Sequence, residues 1–325
     1  MTPTRLTRRS AAALLALAAA AASGGSFAQG RFPDKPLNWI VGFPPGGSAD
    51  VMTRLVAKKL EAKLGQSVVV DNRPGASGAI ALQLAAKAVP DGYTLITVPG
   101  PVVTSRPQPE LGKELAGIAM LGKGPMVLVG TMAQPLPATL KDLLASAKAN
   151  PDKYSFASSG NGTSQHFAGE LVNQMAGTKM THVPYKGGNQ AVADVIGGQV
   201  PLAVLGITPV LPHIRSGKLR AYAVSTAQRS PALPDVPALR EAPGLQGFDA
   251  SQWFVVAAPA GVPPDRVQML NAAIGEALKD PAIGSGFAGV GVLPEAAAPQ
   301  ATTAFVTGDL KRWHELATRA NLPLE

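Results

Sequence analysis

Cysteine is absent from all 325 residues. That absence excludes a disulfide framework, a thiolate metal site and the cysteine-borne lipid anchor that tethers many exported proteins. Histidine is nearly as scarce: His166, His182, His213 and His314 have none of the H-x-x-x-H or H-E-x-x-H spacings that set two zinc ligands on one helix face. No metal or other cofactor is expected. Beyond residue 28 no run of 18 apolar residues occurs, so hydropathy gives no membrane span there. Charge is sparse as well, at 15% of residues. The lysines and arginines are scattered, with no basic stripe interleaved with aromatics, so nucleic acid is not an expected partner.

What is present begins at the N-terminus, where Arg5, Arg8 and Arg9 precede a run from Ala11 to Ala22 made only of Ala and Leu. Charge followed by an apolar run is the order of a secretory signal peptide. The run is too short for the roughly 20 residues of a spanning helix. Ser26-Phe27-Ala28 then supplies small residues at the positions a signal peptidase reads. Residues 1–28 are therefore expected to be cleaved after Ala28, leaving a protein free in the periplasm. Thr7-Arg8-Arg9 also resembles a twin-arginine signal, so the export route stays open. Cleavage removes three arginines and no acid, leaving 26 basic against 21 acidic residues and lowering the formal charge from +8 to +5. The 297 residues that remain exceed the usual domain size of about 100–200. Two lobes are expected.

Along the mature chain, short apolar runs alternate with helical periods, the signature of βαβ units on a parallel sheet. Leu37 to Phe43 reads as a strand. Met52, Leu55, Val56, Leu60 and Leu64 recur at helical spacing up to Gly65, a C-cap candidate. Val68 to Val70 and Tyr93 to Val98 read as strands on either side of a helix from Ala79 to Ala88. A Pro-rich stretch from Pro99 to Pro109 follows, and Met126 to Gly130 reads as a strand crossing into a second lobe. There, strands 154–157, 182–185, 201–205 and 219–225 alternate with helices through Ala149, 165–175 and 190–196, the first opened by a Thr139/Asp142 capping box. Ser251 to Ala257 reads as the return crossing, and the helical tail is expected to pack on the first lobe. The expected fold is thus α/β, with one lobe formed by residues 29–125 and 251–325 and the other by 126–250.

Chemistry concentrates in two Gly-rich turns. Phe43-Pro44-Pro45-Gly46-Gly47-Ser48-Ala49-Asp50 joins a strand to a helix at the carboxyl edge of a parallel sheet, where open α/β folds bind ligands. A helix start leaves about four N–H groups unpaired and carries roughly half a positive charge, so such a turn can hold an anion without a cationic side chain. Ser158-Ser159-Gly160-Asn161-Gly162-Thr163-Ser164-Gln165-His166 repeats the arrangement in the second lobe. Candidate ligand contacts are Phe43, Gly46, Gly47, Ser48 and Asp50 from the first turn and Ser159 through His166 from the second. Ser77 and Gly78, which lead into the helix from Ala79, and Tyr185 and Gly187, which end a second-lobe strand, complete the set. A plain capping role for Ser48 or Asp50, and a surface role for His166, are the alternatives.

These residues resemble the Bug family, the periplasmic receptors of tripartite tricarboxylate transporters. The similarity rests on Phe43 to Asp50, Val68 to Gly75, Pro90-Asp91-Gly92-Tyr93-Thr94-Leu95, His182-Val183-Pro184-Tyr185-Lys186-Gly187, Asp194 with Gly197 to Val200, and Leu233-Pro234-Asp235-Val236-Pro237, and so spans the mature chain. The resemblance implies a type II periplasmic-binding architecture of two lobes joined by two strands. It also implies a buried cleft for one small carboxylate, held by backbone amides and ordered waters from the two turns, and inner-membrane transporter subunits as partners. A monomer is expected. One segment departs from the family pattern: Val98-Pro99-Gly100-Pro101-Val102-Val103 replaces a turn that often lines the cleft, so the identity of the acid does not transfer. Two other functions stay open: an exported hydrolase using Ser164 and His166, although Gly162-x-Ser164-x-His166 lacks the last glycine of a nucleophile elbow, and a sensor whose closure is read by a membrane signalling protein.

Overall fold

The computed structural model describes residues 32–102 and 107–319. The expected signal peptide and its cleavage site lie outside the described residues. The chain separates into a short N-terminal unit, Met1–Asp34, and a unit from Lys35 onward that holds all the elements described below. No helix among the described residues is long and apolar enough to cross a membrane.

Three parallel strands, β1 (Leu37–Val41), β2 (Val68–Asn72) and β3 (Thr94–Gly100), are connected by α1 (Ser48–Leu64) and α2 (Ala79–Ala86). β1 lies in the middle, with Trp39 opposite both Val70 and Leu95. Its residues Leu37, Trp39, Ile40 and Val41 are all buried, as expected of a strand covered on both faces. α1 ends where Gly65 adopts φ +67 and returns its N–H to Glu61 O, the left-handed cap that glycine tolerates best.

The chain then runs through β4 (Leu115–Thr131), α3 (Leu140–Ala149), β5 (Ser155–Ser158), α4 (Ser164–Ala176), β6 (Thr181–Pro184), α5 (Gly188–Ile196), β7 (Leu202–Gly206), α6 (Ile207–Arg215) and β8 (Leu219–Val224). It closes with β9 (Ser251–Pro259), α7 (Pro264–Lys279), α8 (Pro281–Gly289), β10 (Leu293–Pro294) and α9 (Pro299–Arg319). The strand order is β2-β1-β3-β9-β4-β7-β5-β6, with β8 and β10 also on β4.

β4 links the two parts of this sheet. From Leu115 to Pro125 it is antiparallel to β9, and from Met126 onward it pairs with β7 and β8. At the change of partner a buried serine ties three segments together. The Ser225 hydroxyl donates to Ala250 O and accepts from Met126 N, while Ser225 N donates to Met126 O.

The structure differs from the sequence reading in three places. β4 begins eleven residues before Met126; Gly117, Gly122 and Gly124 mask its first half, whose register shifts twice against β9, as bulges allow. α6 and α8 were not expected, because Pro209 and Pro212 in one and Gly284 and Gly286 in the other read as breakers. Finally, the tail does not stay with the first sheet region. Val306 of α9 packs with Ile40, Ile96 and Trp253, whereas Trp313 and Ala317 pack with Phe156, Phe167 and Val172 around the second region. A 21-residue helix, about 30 Å long, reaches both cores.

Candidate functional site

Four helices begin around one small cavity of about 50 Å³. α1 follows β1 through the first Gly-rich turn, with Gly47 as N-cap in extended conformation. α4 follows β5 through the second, with Thr163 as N-cap accepting from His166 N at 3.4 Å. α5 starts from Gly187 and α6 from Gly206, directly at the end of β7. The first-turn N–H groups of α1, α4 and α5 have no backbone partner within their own helix, whereas α6 reaches the cavity only through Pro209, which has no N–H. These free N–H groups point to where each dipole is positive, equivalent to about half a charge per helix.

Among the described residues the cavity wall contains no Asp, Glu, Lys, Arg or His. One side is apolar, built from Phe43, Val102 and Pro44, Pro45, Pro99, Pro101 and Pro209. The polar side chains include Ser48, Ser164 and Gln252, 9%, 2% and 8% exposed. Among the described residues none of these three side chains has a hydrogen-bond partner, so their capacity is directed at whatever occupies the cavity.

Eight of the sequence candidates line it: Phe43, Gly47, Ser48, Ser159, Thr163, Ser164, Gln165 and Gly187. A larger cavity of about 700 Å³ shares Phe43 and Ser159 with it, and takes in Ser77, Gly78, Gly160, Asn161 and Tyr185. Gly46, Asp50, Gly162 and His166 line neither. They organise the turns instead. The Asp50 carboxylate accepts from Gly46 N at 2.9 Å, from Asn72 Nδ2 at 2.9 Å and from Arg54 Nε at 2.9 Å. Burial opposes its ionisation, yet these donors bring its pKa below the ordinary value. Gly46 itself sits at φ +81, a conformation a side chain would strain.

His166 accepts the Gly162 N–H at Nδ1 (3.2 Å), and its ring stacks on His182 with centroids 3.9 Å apart. Burial pushes His166 down to about 4. Burial and then the neighbouring His166 push His182 down to about 3, and His182 Nε2 meets Ser158 Oγ at 2.7 Å. Both rings are neutral at pH 7. No hydrogen bond joins Ser164 to His166, so the pair a hydrolase would need is not assembled. Tyr185 donates to Asp194 Oδ2 at 2.7 Å, and burial, followed by that hydrogen bond, holds its hydroxyl up at about 12.

The two sheet regions meet across the site. Asn189 Nδ2 donates to Pro45 O at 3.0 Å, Ser77 Oγ donates to Asn161 O at 2.8 Å, and Val102 bridges to Thr163. Sequence reasoning missed Gly188, Asn189, Gln190, Pro209 and Gln252. The signals for them were weak: a helix start with no capping side chain, a helix containing prolines, and one amide in an otherwise apolar strand.

The family model for the tripartite tricarboxylate transporter family receptor matches residues 52–322. Protein BugT of Bordetella pertussis is 40% identical over 87% of this chain and 88% of its own length. Among solved structures, periplasmic binding protein BugD superposes with a TM-score of 0.84 at 32% identity, over 90% of this chain and 99% of that one. MatC from Rhodopseudomonas palustris, solved with bound malate, gives 0.82 at 30% identity over 87% and 99%. With its α/β two-lobed fold and a match across most of its length, the chain belongs to the family of receptors of tripartite tricarboxylate transporters.

Proposed function

We propose that this protein is a periplasmic receptor that closes two α/β lobes around one small organic carboxylate and delivers it to the membrane subunits of a transporter. The observation that carries the reading is the convergence of the N-termini of α1, α4 and α5 on a cavity whose wall, among the described residues, has no ionisable side chain. An anion there is held by dipoles and hydrogen bonds. One helix N-terminus contributes only about 0.3–1 kcal/mol, or up to about 2 when partly buried, whereas micromolar affinity needs about 8 kcal/mol. The balance falls to charge-assisted hydrogen bonds from first-turn amides and from the Ser48 and Ser164 hydroxyls, in a site closed to bulk water. MatC's malate supports the carboxylate class.

In this reading lobe one comprises residues 29–125 and the part of the chain from 251 to the middle of α9, and lobe two comprises 126–250 capped by Trp313. Residues 1–28 direct export and are removed. The ligand contacts are Phe43, Gly47, Ser48, Ser159, Thr163, Ser164, Gln165 and Gly187. The protein acts as a monomer and does no chemistry on what it binds, since Ser164 and His166 are not coupled. Closure is read by a transporter rather than by a signalling protein, in keeping with the family.

A thermal-shift screen of mono-, di- and tricarboxylates against their neutral amides tests this. A ligand at about one hundred times its Kd adds about 2.7 kcal/mol of apparent stability. Acids are expected to stabilise and amides not; equal stabilisation by the amides, or by no acid at all, overturns the reading.

A further inference from the structure

Gln252 is the polar residue of the cavity that neither Gly-rich turn accounts for. It lies on β9, opposite Gly124 of β4, next to the point where β4 changes partners. Its side chain is 92% buried, lines the cavity, and has no hydrogen-bond partner among the described residues. The amide is not sealed into the core but opens onto the cavity, so its hydrogen-bonding capacity is completed by what the cavity holds, water or a ligand. The backbone around it is shaped to keep the space open. A Cβ on Gly206 would stand 2.4 Å from Gln252 Oε1 and 2.9 Å from Ser48 Oγ, so the ends of these two side chains lie side by side against the end of β7.

We propose that Gln252 is the specificity-determining residue of the site, and that it selects acids bearing a hydroxyl group. The proposal rests on the carboxylate-receptor reading above. A primary amide offers one donor group and one acceptor. A hydroxyl satisfies both at once, accepting from the NH2 and donating to the carbonyl oxygen, whichever way the amide is turned. A second carboxylate accepts only, so it pairs with the NH2 and leaves the amide oxygen without a donor. A methylene in the same place leaves both amide groups unpaired. Sites built to hydrogen-bond a hydroxyl reject analogues that lack it far more strongly than apolar pockets discriminate by size.

Calorimetry with three matched pairs, propionate and lactate, succinate and malate, glutarate and 2-hydroxyglutarate, reads this directly. The wild-type protein is expected to bind the hydroxy acid roughly tenfold or more tightly in each pair it binds. Gln252→Met, which keeps the length and removes the amide, is expected to bring that ratio to within about threefold while the plain acid still binds. If wild-type protein binds both members of a pair equally, or Gln252→Met keeps the preference, the role assigned to Gln252 is wrong and the receptor reading stands. If none of the six acids binds, the assignment to Gln252 falls, and the receptor reading is decided by the wider carboxylate screen above. The wild-type ratio decides the matter even if the variant does not fold.

Discussion

A Cβ on Gly187 would stand 2.9 Å from Cδ of Pro44, across the junction between the two Gly-rich parts of the site. Gly187 belongs to the second sheet region and the Pro44 ring to the first, so this close approach exists only when the lobes are together. Gly187→Ala is expected to leave the melting temperature near wild type while weakening ligand affinity at least tenfold, because the added methyl props the lobes apart. X-ray scattering with saturating ligand checks it: wild type should contract and the variant should not.

Asp50 holds the first turn from inside and lines neither cavity. Asp50→Asn replaces a charged acceptor of several bonds by an amide that cannot accept them all, and is expected to cost about 1–3 kcal/mol of stability by chemical denaturation. Affinity should fall too, since the Gly46 N–H loses the carboxylate that fixes the turn. An unchanged affinity would show that the turn is rigid without it.

Trp313 ties the C-terminal helix to the second core, 6.1 Å from Phe167 between ring centroids. Trp313→Ala is expected to destabilise by about 3–5 kcal/mol, as for other large buried aromatics. A loss under 1 kcal/mol in urea titration would mean that the helix end contributes little to that core.

The buried histidine pair gives a pH dependence of definite sign. His166 is held down to about 4 by burial, against about 6.5 in an unfolded chain. Between those values the unfolded chain binds the extra proton, so stability falls as pH drops from about 6.5, by at most about 1.4 kcal/mol per unit for this group. Above pH 6.5 the effect vanishes. His182, pushed down by burial and by His166, acts in the same sense, while Glu170, whose pKa burial raises, acts in the opposite sense. The comparison is therefore between wild type and His166→Gln: melting temperature measured from pH 7 to 5 should fall less steeply in the variant. Parallel slopes would contradict the account.

Much of the fold was legible because its periodicities are clean. Met52 to Leu64 followed by Gly65 gives a helix and its stop from local chemistry alone, and the two Gly-rich turns announce themselves by composition. The long strand β4 was not legible in its first half, since glycines at 117, 122 and 124 normally signal turns. Here they admit close neighbours instead: a Cβ on Gly122 would collide with Leu293 O. The N-terminus of α5 was blurred for a related reason, as Gly187 and Gly188 carry no capping side chain. Gln252 depends on which strands meet at the hinge, a long-range relationship that no local pattern encodes.

A carboxylate in this cavity is expected to be held by backbone at helix starts, since the described wall offers no counter-ion. Gly47 allows a direct test. A Cβ there meets nothing of the protein closer than Pro44 O at 3.7 Å, and the residue has φ −75, open to any side chain. Gly47→Val should thus cost no more than about 1 kcal/mol of stability while filling the space where a ligand approaches the backbone. Lys186, on the wall of the adjoining cavity, is the cation to compare. Titration calorimetry with an acid that binds wild type should show no measurable binding to Gly47→Val and a loss of less than about tenfold for Lys186→Ala. Retained binding by Gly47→Val together with its abolition in Lys186→Ala would mean that a salt bridge holds the ligand.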